Sequence, residues 1–583
     1  MTPAAVSIST LQTQSFAASV SNSANPAVTW FVDGVRGGNA DIGVISAQGL
    51  YTPPPSLASR SITATSVADP RRSASASVVV THLRGMLTYH NDNARSGQNL
   101  QETLLTPANV NTTGFGKLAS LAVDGYVYAQ PLYVADVSVA GRLRNLVIVV
   151  TQHNSVYAFD ADDRTGTPVW QRSFIDPARG ITAVPSIDTQ CNDVVPEIGI
   201  TSTPVIDPLT GTLYVVAMTK ENGTHAHRIH ALDVRSGMPL FTAGTLIQAS
   251  VAGASVPDDG TGRQVFASLR ENQRAGLLLS NNAVHVAFGS YCDAGDHHGW
   301  LLTYDAKTLR ALGAFSSTPR GVEGGIWQSG GGAAADAQGN VYVMTGDGSF
   351  DAASGGSNYG NSFLKLSGAG LTVTDYFTPY NQSTLQAVNA DLGAGGAMLL
   401  PDQAVGPPRL LVGAGKQGIV YLLNRDNMGK FQVGSDTQIV QSFPAGVCGA
   451  GACAIFSTPA YFNGTVYLAA VRDRLKAYTL SNGRLTLAKQ SAVAFPWPGA
   501  TAVVSANASG NGIVWTLETN GSGAPAVLRA HAAADVSVEL YSSAQNALRD
   551  APGRAVKSAV PTVFRGKVYV GTQGAVSVYG LLP

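Results

Sequence analysis

Charge is scarce in this chain. Only 13% of its 583 residues are Asp, Glu, Lys or Arg, about half the usual quarter. The 37 basic residues balance the 37 acidic ones, so the formal net charge is zero. Nucleic-acid and membrane-surface proteins generally carry a basic excess, and the balance argues against both classes. The scarcity does not indicate disorder, because 45% of the residues are hydrophobic.

Long apolar runs are missing as well. No run approaches the roughly 20 residues that span a bilayer, and the first residues, MTPAAVSIST, lack the basic and apolar regions of a signal peptide. The four cysteines, Cys191, Cys292, Cys448 and Cys453, form no CxxC or CxxCH motif, which argues against structural zinc and attached c-type haem. Cys448 and Cys453 either close a small loop as a disulfide or are buried free thiols.

The first part of the chain consists of short runs in which apolar and polar residues alternate. Residues 5–82 set segments such as SFAASV, AVTWFVDG and SITATSV between Gly/Asn/Pro clusters, which predicts a β-sandwich with Trp30 in its core. The run VTWFVDGVRGGNADIGVISAQGLYTPP (28–54) resembles bacterial immunoglobulin-like modules of the Big type. That resemblance implies a spacer domain outside the cytoplasm, so we expect a periplasmic or secreted protein.

A different pattern then repeats. Its clearest copy is TPVIDPLTGTLYVVAMT…HRIHALDVRSGMPLF (203–241), and about eight such units follow one another at a spacing of roughly 50–70 residues. Each unit is a small sheet that must bury both faces against neighbours, which predicts a β-propeller of about eight blades. The last unit is one strand short, and GKLASLAV (116–123) is placed to complete it. We therefore expect an all-β chain: an Ig-like module (1–82), a linker (83–112) and an eight-bladed propeller (113–583).

The loops between the second and third strands of these units should emerge on one face of the ring. Those loops carry mixed charges, whereas the opposite loops, such as DPLTG, are ordinary turns. A concave mouth with such residues is the default binding-site hypothesis. The polar residues of this face are Gln152, His153, Asn154, Lys220, Glu221, Asp293, Asp296, His297, His298, Asp347, Lys416, Arg472, Asp473, Arg474 and Gln573.

Several motifs carry a resemblance to a known family. The segments LTYHNDNARSGQN (87–99), GGIWQSGGGAAADAQGNVYVMTGDG (324–348) and GAGKQGIVYLLNRDNMGK (413–430) resemble the quinoprotein alcohol dehydrogenases, whose propellers hold pyrroloquinoline quinone (PQQ) and Ca²⁺. The resemblance implies that Trp327 stacks beneath the quinone and that Lys416 binds the quinone oxygens. It also implies that Glu221, Asp347 and Asn389 ligate the Ca²⁺.

The same comparison shows departures. The family's catalytic aspartate falls by register on Asn389, which cannot accept a proton, and Asp391, facing the same side of an extended strand, is the substitute candidate. The vicinal cysteine pair that many members place above the quinone is absent, because Cys191 stands alone in CNDVVPEIG without the arginine expected after it. Without a haem motif, electrons would leave to a separate acceptor.

Two functions remain open at this point. One is a PQQ- and Ca²⁺-dependent dehydrogenase acting on an alcohol or a sugar, with Asp391 as base. The other is a non-catalytic propeller that binds a glycan, a peptide or a protein partner on its loop face. A weaker third hypothesis is a transition-metal site in CDAGDHHGW (292–300), with Asp293, Asp296, His297 and His298 as ligands, although adjacent histidines on a strand face opposite sides.

Overall fold

The computed structural model describes residues 1–368, 370–445 and 453–583. Within these ranges strands dominate, and none of the helices is long and apolar enough to cross a membrane. The chain is therefore nearly all β, as the alternation predicts. The prediction about Cys448 and Cys453 falls partly outside the described residues. The helices are Gln382–Ala387 and Ala547–Asp550 (α), and Pro177–Arg179, Ser186–Thr189, Gln328–Gly330, Ala352–Ser354, Leu392–Ala394 and Ser543–Asn546 (3₁₀).

The N-terminal residues form a domain of two sheets with its own core. Trp30, Val32, Tyr51, Ile62 and Val78 pack together there, and Trp30 is buried as predicted. The first sheet, in spatial order, is Ala5–Ser9, Ser73–Thr81, Ala58–Ser66, Val28–Val32 and Val35–Arg36. The second is Gln14–Ser15, Leu50–Thr52, Gly43–Ile45 and Gly38–Asn39.

The remainder of the described chain folds into consecutive, mainly antiparallel sheets, numbered here 1 to 8; in sheet 7, Gln98–Asn99 pairs in parallel with Val503–Asn507. Sheet 1 comprises Arg84–Met86, Leu132–Val139, Arg142–Val150, Ser155–Asp160 and Pro168–Ser173, and sheet 2 comprises Ile181–Thr182, Val205–Ile206, Thr212–Glu221, Thr224–Asp233 and Thr245–Leu246. Sheet 3 comprises Glu271–Asn272, Leu278–Ser280, Ala283–Ser290, Trp300–Asp305 and Ala311–Ser316, and sheet 4 comprises Ala334–Ala335, Val341–Met344, Phe363–Leu366 and Val373–Phe377. Sheet 5 comprises Met398–Leu399, Leu410–Ala414, Ile419–Asn424 and Gln441–Pro444, and sheet 6 comprises Ala460–Phe462, Thr465–Ala469, Asp473–Ser481 and Arg484–Phe495. Sheet 7 comprises Gln98–Asn99, Val503–Asn507, Gly510–Glu518, Val527–Ala532 and Asp535–Ser542, and sheet 8 comprises Thr562–Phe564, Lys567–Gly571, Gln573–Leu581 and Phe115–Tyr126. Two ribbons, Val184–Pro185 with Glu197–Ile198 and Ser250–Ala252 with Arg263–Val265, lie outside them.

The hydrophobic clusters show how these sheets pack. One cluster joins sheets 1 and 2, the next joins sheets 2 and 3, and the series continues to a cluster between sheets 7 and 8. A last cluster, with Tyr133 of sheet 1 against Phe564 and Tyr569 of sheet 8, brings the series back to its start. Every sheet is thereby covered on both faces by its neighbours, which is the packing of a β-propeller.

The ring closes where the sequence predicts. The strand Phe115–Tyr126, which contains GKLASLAV, pairs antiparallel with the C-terminal strand Gln573–Leu581, with Phe115 opposite Leu581. A strand from before the first repeat therefore completes the last sheet. Joining the two ends of the ring in one sheet removes an edge that would otherwise be exposed.

The predicted linker 83–112 is built into the ring. Its residues 87–99, called the axial segment below, run along the innermost strands of four successive sheets. The carbonyls of Asn93, Ala94, Ser96 and Gly97 accept hydrogen bonds of 2.7–2.9 Å from the backbone N–H groups of Ala335, Leu399, Tyr461 and Val504. Arg95, fully buried in this segment, donates to the carbonyls of Ala333 and Leu277 at 2.8 and 3.1 Å. The segment thus ties sheets 3 to 7 together at the axis.

Candidate functional site

A cavity of about 270 Å³ opens where the loops of the ring converge. Its walls come from segments that lead into seven of the eight sheets, so it lies on the axis of the propeller. The volume is close to the lower end of the range typical of small-ligand pockets. The residues that line it are Asp193, Asn272, Arg274, Ser290, Cys292, Asp293, Trp327, Ser329, Asp391, Lys416, Phe456, Trp497, Pro498, Lys557 and Ser558.

Trp327 supplies an aromatic surface in this cavity. The residue directly precedes the 3₁₀ turn Gln328–Gly330, and Gly289 lets it approach the neighbouring sheet, since a Cβ there would lie 2.6 Å from Trp327 Cβ. Lys416 Nζ lies 5.9 Å from the centroid of the indole, and the ring of Phe456 lies 6.1 Å away at 49°. The arrangement gives a planar ligand an aromatic face next to a cation.

Lys416 and Asp391 form the central ion pair. Lys416 follows the strand Leu410–Ala414, and its Nζ lies 2.6 Å from Asp391 Oδ2. Its backbone N–H also donates to the Asp391 carbonyl at 2.9 Å. Burial alone would raise the pKa of Asp391, but hydrogen bonding from Asp347 and the charge of Lys416 more than offset burial and lower it. Asp391 is therefore ionised at neutral pH.

Asp347 lies against Asp391 and is in the opposite protonation state. Its backbone N–H donates to Asp391 Oδ1 at 2.8 Å, and Gly346 leaves the room for this contact. Burial, together with the neighbouring charges of Asp391, Asp293 and Glu323, raises the pKa of Asp347 to about 9. Two adjacent carboxyl groups whose pKa values are pushed apart are the usual sign of an acid–base pair.

Asn389 lies at the mouth of this network. Its Oδ1 accepts a hydrogen bond of 2.6 Å from Lys416 Nζ, and its Nδ2 donates to Asp293 Oδ2 at 3.0 Å. The expectation of an extended strand through residues 389–391 is wrong, because the helix Gln382–Ala387 ends in a turn with Asn389 at φ +51°. The turn leaves Asn389 exposed and buries Asp391, so of these two residues it is Asp391 that lines the cavity.

Glu221 lies outside the cavity wall. Both of its oxygens bind Arg228, at 2.7 and 2.8 Å, and hydrogen bonding from that guanidinium lowers the pKa of Glu221. It does not line the cavity, and within the described ranges no three His, Cys, Asp or Glu side chains are grouped so as to hold a metal ion. His298, from the third hypothesis, is buried against Thr318 Oγ1 at 2.8 Å. The structure therefore brings Trp327, Lys416, Asp347, Asn389 and Asp391 together and leaves Glu221 apart.

Most of the cavity wall comes from residues that sequence reasoning missed. Four of them share one position, shortly before the innermost strand of a sheet, whereas the prediction from topology considered only the loops after the second strand. The same position holds Trp327 and Asp391, so a search of the segments before each first strand would have found the set. Its members are Arg274, Phe456, Trp497 and Lys557.

A disulfide also reaches the cavity. Cys191, which the sequence shows without a vicinal partner, is bonded to Cys292, with 5.6 Å between their Cα atoms. Cys292 lines the cavity. The two residues are 101 positions apart, and the packing of sheet 2 against sheet 3 brings their loops together. A local cysteine motif could not have indicated this bridge.

Comparison with known proteins gives the fold a precedent. No protein-family model and no curated protein sequence matches the chain. Among solved structures, the quinohemoprotein alcohol dehydrogenase ADHIIG from Pseudomonas putida HK5 aligns with a TM-score of 0.58 and 14% identity, over 85% of this chain and 80% of that one. The chain shares its fold with the quinoprotein dehydrogenases.

Two further structures agree with this assignment of the fold. The quinohemoprotein alcohol dehydrogenase from Comamonas testosteroni aligns with a TM-score of 0.55 and 15% identity, again over 85% of this chain and 80% of that one. A europium-containing methanol dehydrogenase aligns with a TM-score of 0.56 and 13% identity, over 85% of this chain and 98% of that one. At such identities the likeness defines the fold of the chain, and its function must be argued from the cavity.

Proposed function

We propose that this protein is an exported quinoprotein-like oxidoreductase that binds PQQ in the axial cavity and oxidises an alcohol or a sugar. The observation that carries the proposal is that Trp327, Lys416 and Asp391 meet in one cavity, on a fold shared with quinoprotein dehydrogenases. The eight sheets are then the eight blades of the ring. The N-terminal two-sheet domain is an Ig-like spacer, the location is the periplasm or the outside of the cell, and a separate acceptor takes the electrons.

The cavity residues fit the cofactor. PQQ is planar and anionic, and the cavity offers an aromatic face at Trp327 beside the cations Lys416, Arg274 and Lys557. When bound, PQQ supplies a quinone that accepts two electrons from the substrate. The chain supplies charge and proton handling: Lys416 stabilises negative charge on the quinone oxygens. Asp391 Oδ2, ionised and held by Lys416, accepts the hydroxyl proton of an alcohol.

Ca²⁺ fits these residues less well. The expected ligand Glu221 is neutralised by Arg228, and Asp391 is already paired with Lys416. No group of three ligand side chains exists in the part of the chain that the structure describes. We therefore assign no step to Ca²⁺ and treat a requirement for it as a question for the binding experiment.

The decisive experiment is a titration of the purified protein with PQQ, with Ca²⁺ or with EDTA. A ligand that binds only the native state raises the melting temperature by mass action, and a bound quinone changes the absorption spectrum. We expect both changes in the wild type and in Lys430→Met, whose exposed side chain lies outside the cavity. Lys416→Met should weaken both. No spectral change and no stabilisation at high PQQ would overturn the proposal.

One observation favours the second candidate, a propeller that binds a glycan, a peptide or a protein without catalysis. Trp497 lines the cavity and is 44% exposed, and its ring lies 6.3 Å from that of Phe456. Exposed aromatic side chains at the rim of a pocket are frequent anchors for ligands with one apolar face. If oligosaccharides bind in a Trp497-dependent manner and PQQ does not, this candidate replaces the first.

A further inference from the structure

A buried arginine in the cavity wall, Arg274, has few hydrogen-bond partners. Arg274 is 6% exposed and stands in the turn Asn272–Gln273–Arg274, just before the innermost strand of sheet 3. Gln273 anchors this turn, because its side chain bonds Ser202 Oγ and donates to the Ala275 carbonyl at 2.9 Å. The two flanking side chains, Asn272 and Arg274, line the cavity instead.

Both of these side chains have unused hydrogen-bonding atoms. Arg274 Nη2 and Asn272 Oδ1 are buried without a partner, and no other residue of the cavity wall has such an atom within the described ranges. Over the same described ranges, the Arg274 guanidinium makes one hydrogen bond, a long one of 3.5 Å from Nη1 to the Thr201 carbonyl. The guanidinium carbon also lies 5.5 Å from the centroid of the Tyr128 ring. A buried guanidinium left in this state is costly to the fold.

Arg274 also lies near a second cation, Lys557. Lys557 lines the same wall, and burial lowers its pKa, an effect to which the nearby charge of Arg274 adds. The carboxylate that opposes this repulsion is Asp193, which pairs with Lys557. Burial likewise lowers the pKa of Arg274. Arg274 and Lys557 therefore share the nearby charge of Asp193, which forms its ion pair with Lys557.

We propose that Arg274 binds a carboxylate of the cavity's ligand and that Asn272 Oδ1 accepts an N–H or O–H next to that carboxylate. The ligand class is a planar aromatic acid, stacked on Trp327 with its acid group toward Arg274. A guanidinium and a carboxylate make paired, charge-assisted hydrogen bonds, which would use the free Nη2. The inference rests on the proposed function, because PQQ is one member of this ligand class. It adds to that proposal the residue that binds the ligand's carboxylate.

The test compares Arg274→Met with Arg270→Met, which removes the same charge from a side chain outside the cavity wall. Affinities for PQQ, for its trimethyl ester and for benzenetricarboxylate are measured by equilibrium dialysis. We expect Arg274→Met to weaken the two acids about 10- to 100-fold and to leave the ester unchanged. Arg270→Met should bind all three like the wild type, and Arg274→Lys should fall between.

The outcomes separate the two proposals. If benzenetricarboxylate binds through Arg274 while PQQ does not bind, the anion site stands and the quinoprotein proposal fails. If PQQ binds equally to the wild type and Arg274→Met, the anion site is wrong and the quinoprotein proposal survives. If no acid binds the wild type, both fail. The melting temperature of ligand-free Arg274→Met supplies a readout that needs no ligand: it should equal or exceed that of the wild type, and a marked fall would overturn the inference.

Discussion

Two arginines near the axis of the ring differ in almost every contact they make. Arg95, in the axial segment, donates from Nε to the Ala333 carbonyl, from Nη1 to Thr88 and from Nη2 to the Leu277 carbonyl, at 2.8–3.1 Å. Arg274, in the cavity wall, makes one hydrogen bond of 3.5 Å and leaves Nη2 free. Both are buried cations in one ring, so the cost of desolvation is common to them.

The difference separates groups that hold the ring from groups that await a ligand. In the axial segment the protein itself satisfies the buried polar atoms of Arg95 and His90, whose ring nitrogens contact the carbonyls of Arg95 and Ala502. In the cavity, polar atoms are left over and carboxyl groups are held in opposite protonation states. Substitutions in the axial segment should therefore cost stability, and substitutions in the cavity should cost binding or turnover.

The largest effect should follow from Asp391→Asn. Removal of the ionised carboxylate that accepts the proton should lower turnover in a dye-reduction assay about 10²- to 10⁴-fold. PQQ affinity should change much less, because Trp327 and Lys416 remain. Asp296→Asn, at an exposed position of the same face, is the matched control and should keep full turnover. An unchanged rate in Asp391→Asn would remove the base from the proposed chemistry.

The next largest effect should follow from Arg95→Met. Loss of this side chain leaves the buried carbonyls of Leu277 and Ala333, at the starts of sheets 3 and 4, without its donors, and we expect a fall of about 4 kcal/mol in the free energy of unfolding. Urea denaturation measures it. Arg274→Met, which removes a cation that the protein does not satisfy, should be neutral or stabilising by the same measurement. Equal losses in the two variants would erase the contrast between the axial segment and the cavity.

The same contrast explains how far the sequence could predict the molecule. Alternation and the repeat indicated the propeller and even the closing strand 116–123, because both depend on local patterns that recur. Trp327 and Lys416 were found through motifs. Arg274 could not be found in this way, since a lone arginine before a strand reads as a surface charge until its unpaired atoms are seen. The pairing of Glu221 with Arg228 lies across a hairpin, and the motif that carries Glu221 does not show it.

The axial segment and the cavity also differ in a long-range covalent bond. The axial segment is held by hydrogen bonds, whereas the cavity loops are linked by the Cys191–Cys292 disulfide across 101 residues. For a loop of this length the chain-entropy model gives a limit of about 4.7 kcal/mol, and since the propeller already restrains these loops we expect about 2 to 3 kcal/mol. Cys292→Ser, compared with the wild type in urea without reductant, measures the loss. A reductant should then destabilise the wild type more than the variant.

The smallest effect should be a pH dependence contributed by Asp347. Its pKa is raised to about 9 in the fold, so the stability that its protonated form contributes is fully present below its unfolded pKa and is lost as the pH rises toward 9. Asp347→Asn removes this titration while it keeps a polar group beside Asp391. The variant should therefore gain stability relative to the wild type by about 1 to 2 kcal/mol between pH 5 and pH 8, within the limit of about 1.4 kcal/mol per pH unit.

Asp296→Asn is the control for this measurement too, because that exposed carboxyl lies outside the pair. It supplies the baseline against which the Asp347→Asn difference is measured. A flat difference for Asp347→Asn would mean that the fold does not raise the pKa of Asp347. The cavity would then lack its acid–base pair, and the polar groups around Asp391 would resemble those around Arg95, satisfied by the protein rather than prepared for a substrate.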